Sequence, residues 1–218
     1  MPTRTASPIP LPSLTVFDHP LIQHKLGFIR DAATGHRAFR NLLGEIAGLM
    51  VFEATRSFPT VDISVQTPLT LATVKRLAGT ITVVPVLRAG LGMAQGILDV
   101  MPEARVGHLG IVRDEATLRP RAYLERLPSR LGDGPVVLVD PMLATGGSAV
   151  AALDALKRAG AKDLRMMVLV ASPLGVKRVH ETHPDVAIYA AAVDPLLNEK
   201  GYIVPGLGDA GDRMYGTV

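Results

Sequence analysis

Apolar positions along this chain follow two rhythms, and their alternation predicts its architecture. From about residue 35 to 56, Phe39, Leu42, Leu43, Ile46, Leu49 and Met50 recur at steps of three and four, the spacing of one wide helical face. Ile81–Leu87, interrupted only by Thr82 and Pro85, and Val136–Val139 are instead apolar runs rich in β-branched residues, as in strands buried on both faces of a parallel sheet. Helical spacing returns after each run, over Leu91–Val100 and over Ala149–Ala159, the latter stopping at Gly160. Ala104–Val112 is another β-rich run, Leu164–Ala171 predicts a strand, Pro173 to about His183 a helix, and Val186–Ala191 a strand. Successive β-then-α units imply an α/β fold whose mainly parallel sheet is flanked by helices, with ligands gathered at the carboxyl ends of its strands.

The N-terminal part is less regular. Five prolines among the first twenty residues predict a loose Pro-rich arm over residues 1–13, leaving 14–218 as a single domain. Leu14–Phe17 is its first ordered piece. Asp18 is the expected cap of a helix with Pro20 in its first turn and Leu21, Ile22, Leu26 and Ile29 along one side. Val61–Val65 alternates and predicts an edge strand, and Leu69–Leu77 a short helix ended by Gly79. The stripe from Phe39 to Met50 must be covered, either by the sheet or by another subunit.

Composition narrows the function classes. The 218 residues are 48% hydrophobic and 20% charged, and no apolar run approaches the roughly 20 residues of a membrane-spanning helix. No cysteine is present, which removes disulfides, thiolate zinc sites and cysteine nucleophiles and fits the cytoplasm. The net charge of +3 is spread without a basic run, tryptophan is absent and aromatic residues are 4%, so nucleic acid is not the expected partner.

The candidate chemistry centres on Val136–Ser148. The strand ends on Asp140, and Pro141, Met142 and Leu143 lead into Ala144-Thr145-Gly146-Gly147-Ser148, where small residues let backbone N–H groups turn inward at a helix N-terminus. A carboxylate there accepts from two adjacent hydroxyls while Thr145, Ser148 and the loop amides donate to a phosphate, a pattern that fits a ribose 5-phosphate. No Gly-Lys-Ser/Thr occurs, so this is not a Walker A loop. A second strand-to-helix turn ends in Arg88-Ala89-Gly90. The polar stretch beginning at Arg113 separates Val112 from the next core strand by more than twenty residues, which predicts a hairpin lid or other functional loop over about 113–133. His180-Glu-Thr-His183 lacks the metalloprotease spacing and reads as a solvated helix end. Gly206, Gly208 and Gly211 formally make G-x-G-x-x-G, but no buried strand leads into them and no βαβ unit fits behind.

The wording DPMLATGGS resembles the phosphoribosyl-diphosphate (PRPP) loop of type I phosphoribosyltransferases, in the version carried by the uracil phosphoribosyltransferases. VLRAGLGM is similar to that family's pyrophosphate loop, which can carry a strained peptide bond, and 113–133 to its flexible loop. GYIVPGLGDAGDR resembles its uracil-binding segment, within about 194–218. The resemblance implies that Arg88 and Arg113 meet the diphosphate, that Asp140 holds the ribose hydroxyls, and that Pro141 to Ser148 bind PRPP. It leaves Arg119, Arg121, Arg126 and Arg130 as solvated lid charges. It implies that Ile203, Gly208 and Ala210 contact uracil through the main chain, and that Asp209 sits on the PRPP side through Mg²⁺-bound water and belongs to the uracil-binding residues. Uracil and PRPP giving UMP and diphosphate in pyrimidine salvage is the expected reaction, in a homo-oligomer, dimer or higher, that GTP activates in some relatives. Transfer to another base, or a non-catalytic regulatory member that binds nucleotide or RNA, remain the alternatives.

Overall fold

The computed structural model describes residues 14–113 and 120–217. In chain order the first half contains β1 (Leu14–Val16), α1 (Pro20–Arg30), α2 (His36–Ala54), β2 (Thr60–Gln66), β3 (Leu71–Leu77), β4 (Thr82–Leu87), α3 (Gly90–Val100), β5 (Arg105–Val106), β6 (His108–Arg113) and β7 (Pro120–Arg126). After a 3-10 turn at Leu131–Asp133 come β8 (Val136–Val139), β9 (Met142–Leu143), α4 (Gly147–Arg158), β10 (Leu164–Ala171), α5 (Pro173–Thr182), β11 (Ala187–Val193), β12 (Leu196–Leu197), β13 (Ile203–Val204) and α6 (Ala210–Tyr215).

The central sheet runs β1-β11-β10-β8-β4-β6-β7, with β5 also on β4 and β9 on β10, and every pairing is parallel except β6 with β7. Period-two alternation sorts its side chains. Val83, Val137, Val139 and Met167 point into one buried cluster with the inner faces of α1, α2 and α3. Val84, Val136, Leu138, Met166 and Val168 point into a second, with α4 and α5. β4 changes partner from β5 to β6 between Val83 and Val86, and Pro85, which has no N–H to give a ladder, falls in that gap.

The strand order creates a switch point. From β4 the chain moves outward through α3 to β6, whereas from β8 it moves the other way through α4 to β10. The adjacent β4 and β8 therefore send their loops apart, and a crevice opens at their carboxyl ends. Among the described residues no helix is long and apolar enough to cross a membrane.

Two local expectations are corrected. Leu69–Leu77 is not helical: β3 pairs antiparallel with β2, and Ile63 opposite Val74 is a β-branched pair of the kind that favours a hairpin. Thr67 builds its turn, its Oγ1 accepting from the Leu69 and Thr70 amides at 3.2 and 3.0 Å. Val61–Val65 is an edge strand as expected, in a two-stranded ribbon separate from the main sheet. The cap of α1 is His19, whose Nδ1 accepts from the Leu21 amide at 3.2 Å, and not Asp18. The α2 stripe is core: Phe39, Leu43, Ile46 and Met50 are buried against α1, α3 and the sheet. The Pro-rich arm, and Arg119 with the rest of 114–119, lie outside the described residues.

Candidate active site

Asp140 follows β8 directly, and its backbone is fixed before its carboxyl does anything. Its amide donates to Met167 O at 3.2 Å, and Pro141 O accepts from both Leu169 and Val170 amides at 3.0 Å. The next two residues form β9 on β10, so the loop is pinned to the sheet until Leu143. Beyond it, Ser172 Oγ donates to Ala144 O at 2.6 Å, and Gly146, at φ 77°, occupies a left-handed conformation that a side chain would disfavour. α4 starts on Gly147 with no side-chain cap, leaving its first amides to face the loop's hollow. Pro141 and Leu143 are buried, so what they add here is backbone geometry. Asp140 itself is partly buried at the cleft floor, and desolvation pushes its carboxyl up to about 7 although a hydrogen bond from the Met142 amide pulls the other way.

On the neighbouring strand, β4 ends at Leu87, and the Leu87–Arg88 peptide is cis. A Cβ on Gly90 would lie 2.5 Å from Val139 O, so only glycine lets this loop settle on the end of β8. Arg88 is exposed. Its Nη2 meets Asp212 Oδ1 at 3.2 Å, and its guanidinium lies 5.5 Å from the Tyr215 ring centre. One strand further out, Arg113 ends β6 at the same edge of the sheet; its side chain lies outside the described residues.

The C-terminal segment is tied across the carboxyl end of the sheet by charged groups that no local pattern announces. Arg30, from α1, donates to both Asp194 carboxylate oxygens at 2.6 and 2.8 Å and to Gly206 O at 2.6 Å, while the Gly206 amide donates to Asp194 Oδ2 at 2.8 Å. Burial raises the pKa of Asp194, but the Arg30 and Gly206 hydrogen bonds with the Arg30 charge outweigh it and leave that carboxyl below its usual range. Asn198 Oδ1 accepts from the Lys200 and Tyr202 amides at 3.0 and 2.9 Å and shapes the turn between β12 and β13. Asp209 caps α6 by accepting from the Asp212 amide at 3.0 Å, and Arg213 Nη1 donates to Ile29 O and Leu207 O at 2.7 and 2.8 Å.

Between these parts lies a cleft of about 400 Å³, with Asp140, Met142 and Ala144 on one side and Lys200–Ile203 and Gly208–Gly211 on the other. It brings together seven of the residues singled out from the sequence, namely Asp140, Met142, Ala144, Ile203, Gly208, Asp209 and Ala210. Arg88 borders it, Nη2 lying 3.8 Å from where a Cβ on Gly211 would stand, and Thr145 borders it at Gly201. Gly146, Gly147 and Ser148 continue the loop into the first turn of α4. Arg30, Asp194 and Asp212 were not singled out, because each acts through a contact distant in sequence, and Lys200, which lines the cleft, belongs to no motif. A larger groove of about 830 Å³ between α1, α2 and α3 contains none of the residues given a binding or catalytic role from the sequence. The histidine pair is corrected: His183 is buried instead of solvated, its Nε2 3.4 Å from Asp154 Oδ1 on α4.

For a metal, the described residues contain no group of three or more His, Asp or Glu side chains. Asp209 is exposed at the cleft with one carboxylate oxygen committed to its helix cap and the other available, which fits an ion held chiefly by water and substrate phosphates, as Mg²⁺ is.

A family model described as uracil phosphoribosyltransferase matches residues 16–217. The uracil phosphoribosyltransferase of Ligilactobacillus salivarius is 58% identical over 203 residues, 93% of this chain and 97% of that protein, and that of Geobacillus kaustophilus is 57% identical with the same coverage. Among solved structures, the AQ2163 protein of Aquifex aeolicus superposes with a TM-score of 0.88 at 40% identity, covering 93% of this chain and 97% of its own.

Proposed function

The chain belongs to the uracil phosphoribosyltransferase family, and from that premise we propose that it joins uracil to PRPP, forming UMP and releasing diphosphate in pyrimidine salvage. The observation that carries this reading is the single cleft in which the strand-end carboxyl of Asp140 faces the glycine-rich segment of Ile203–Ala210.

The hollow of Thr145–Ser148 receives the 5′-phosphate on loop amides and the start of α4, which places the ribose beside Asp140. Uracil lies against Ile203, Gly208 and Ala210, where backbone N–H and C=O groups complement its acceptor–donor–acceptor edge and oppose cytosine, whose edge exchanges a donor with an acceptor. The uracil nitrogen then bonds to the anomeric carbon as the bond from that carbon to the diphosphate oxygen breaks. The electron pair leaves with the diphosphate, and the proton of the nitrogen passes to the diphosphate or to solvent. No side chain need act as a nucleophile; the protein aligns the two reactants and stabilises separating charge. An ionised Asp140 favours positive charge growing on the ribose, and Arg88 and Arg113 neutralise the departing diphosphate. Mg²⁺, held near Asp209 through water, supplies further neutralisation of phosphate charge when bound.

A homo-oligomer belongs to the same proposal. It is supported by the β2–β3 ribbon, which carries Leu69 at 94% and Leu71 at 66% exposure. Activation by GTP rests on the family resemblance alone. A cytoplasmic setting is supported by a chain without cysteine. The test is turnover with Mg²⁺ and PRPP across uracil, cytosine, orotate, hypoxanthine and adenine, with and without GTP. UMP and diphosphate in equal amounts from uracil alone is the expected outcome. Turnover with a different base would overturn the reading of the glycine segment, and none with any base would overturn the enzymatic reading.

A further inference from the structure

The phosphate-binding loop has a cationic neighbour that the mechanism above does not use. α5 packs hard against the loop: a Cβ on Gly175 would stand 2.5 Å from Ala144 O and 2.7 Å from Leu143 O, so the helix and loop backbones touch. One turn further along, that approach brings Arg178 over the hollow. Its Nη1 donates to Thr145 O at 3.3 Å and lies 3.7 Å from where a Cβ on Gly147 would be, and its own Cβ is 3.1 Å from the corresponding point at Gly146. Arg178 is exposed, and among the described residues no carboxylate pairs with it. A full positive charge thus stands beside the uncapped first turn of α4, in contact with the residues expected to hold a phosphate.

We propose that Arg178 is a binding residue for the 5′-phosphate of PRPP and UMP and sets the preference for phosphorylated over unphosphorylated ribose. The inference rests on the phosphoribosyl-transfer reading above. The hydrogen bond to Thr145 O is neutral at its acceptor end, whereas a phosphate monoester brings a charge of about −1.5 to −2 and oxygens matched to a planar guanidinium. The guanidinium exchanges the carbonyl for phosphate oxygens when the nucleotide enters, closing the hollow from the α5 side while the α4 amides close it from below. Because the 5′-phosphate does not react, this contact is made in ground and transition states alike and acts on binding more than on turnover.

The test compares wild type, Arg178→Gln and Arg178→Lys for calorimetric binding of UMP, uridine and ribose 5-phosphate, beside steady-state kinetics. Arg178→Gln is expected to weaken UMP and ribose 5-phosphate about tenfold and raise KM for PRPP to a similar degree, with KM for uracil and uridine binding within about twofold. Arg178→Lys should fall between. Unchanged UMP and ribose 5-phosphate affinity in Arg178→Gln would overturn the proposal, and so would an equal loss of uridine binding, which would mean that the substitution deforms the loop. If wild type makes no UMP, the enzymatic reading fails separately, and ribose 5-phosphate binding still decides the role of Arg178.

Discussion

Asp140 keeps its proton to about pH 7 because the fold strips water from its carboxyl and offers one backbone amide in return. In the unfolded chain the same group ionises near 3.8. Between these values the folded state holds more protons than the unfolded one, so this residue's contribution to stability is largest below pH 4 and is lost as pH rises to about 7. With the cleft partly open to water, the loss is on the order of 1–2 kcal/mol. Asp140→Asn is therefore expected to unfold at higher denaturant than wild type at pH 8, and to show no advantage at pH 4, while its turnover drops about 10²-fold. Equal stability across that range would remove the desolvation argument, and unchanged turnover would remove Asp140 from the mechanism. This residue was legible in the sequence because its setting is local: a buried strand, an acid, then a glycine nest. Arg178 was not, since its role comes from a helix that begins 25 residues after Ser148, and an arginine on an amphipathic helix ordinarily reads as a solvated charge.

Elements are positioned by contacts that leave little trace in periodicity. α2 and α3 cross at a pair of glycines, where a Cβ on Gly96 would stand 1.9 Å from Gly44 O, backbone against backbone. Gly96→Ala must push the helices apart, and a loss of about 3 kcal/mol with a melting temperature lowered by roughly 6–12 °C is expected. A wild-type melting curve would show that the interface yields without cost. The base segment depends on the Arg30–Asp194 pair, 164 residues apart in sequence and mostly buried. Asp194→Asn leaves Arg30 without its counter-charge and should cost about 3 kcal/mol, with KM for uracil rising more than KM for PRPP. Because the Asp194 carboxyl is held below its usual value, the pair's contribution is present above about pH 4 and is lost as pH falls through that lowered value. Equal rises in both KM values would place the pair's effect outside the base segment. The helices and buried strands announced themselves through spacing, whereas β3 misled: Leu71, Val74 and Leu77 recur at steps of three, and its partner β2 rather than its own pattern makes it a strand.

At the scale of the molecule, function follows from one topological fact. β4 and β8 are neighbours whose following helices run to opposite sides, so the Arg88 loop and the Asp140 loop border one crevice. The order of β and α units in the chain predicts a mainly parallel sheet, as observed, and the cleft opens at the carboxyl edge of that sheet. Which strands would be neighbours is not encoded in that order, so the crevice itself could not be read from sequence. The C-terminal segment then closes the far side through Arg30, Asp194 and Arg213, all of them long-range partners. The most direct test is a crystal structure of the full chain with UMP and diphosphate. The account predicts phosphate on the Gly146, Gly147 and Ser148 amides, ribose hydroxyls on Asp140, uracil against Ile203, Gly208 and Ala210, and diphosphate beside Arg88. A nucleotide bound instead in the groove between α1, α2 and α3, or with its base in the phosphate hollow, would contradict it.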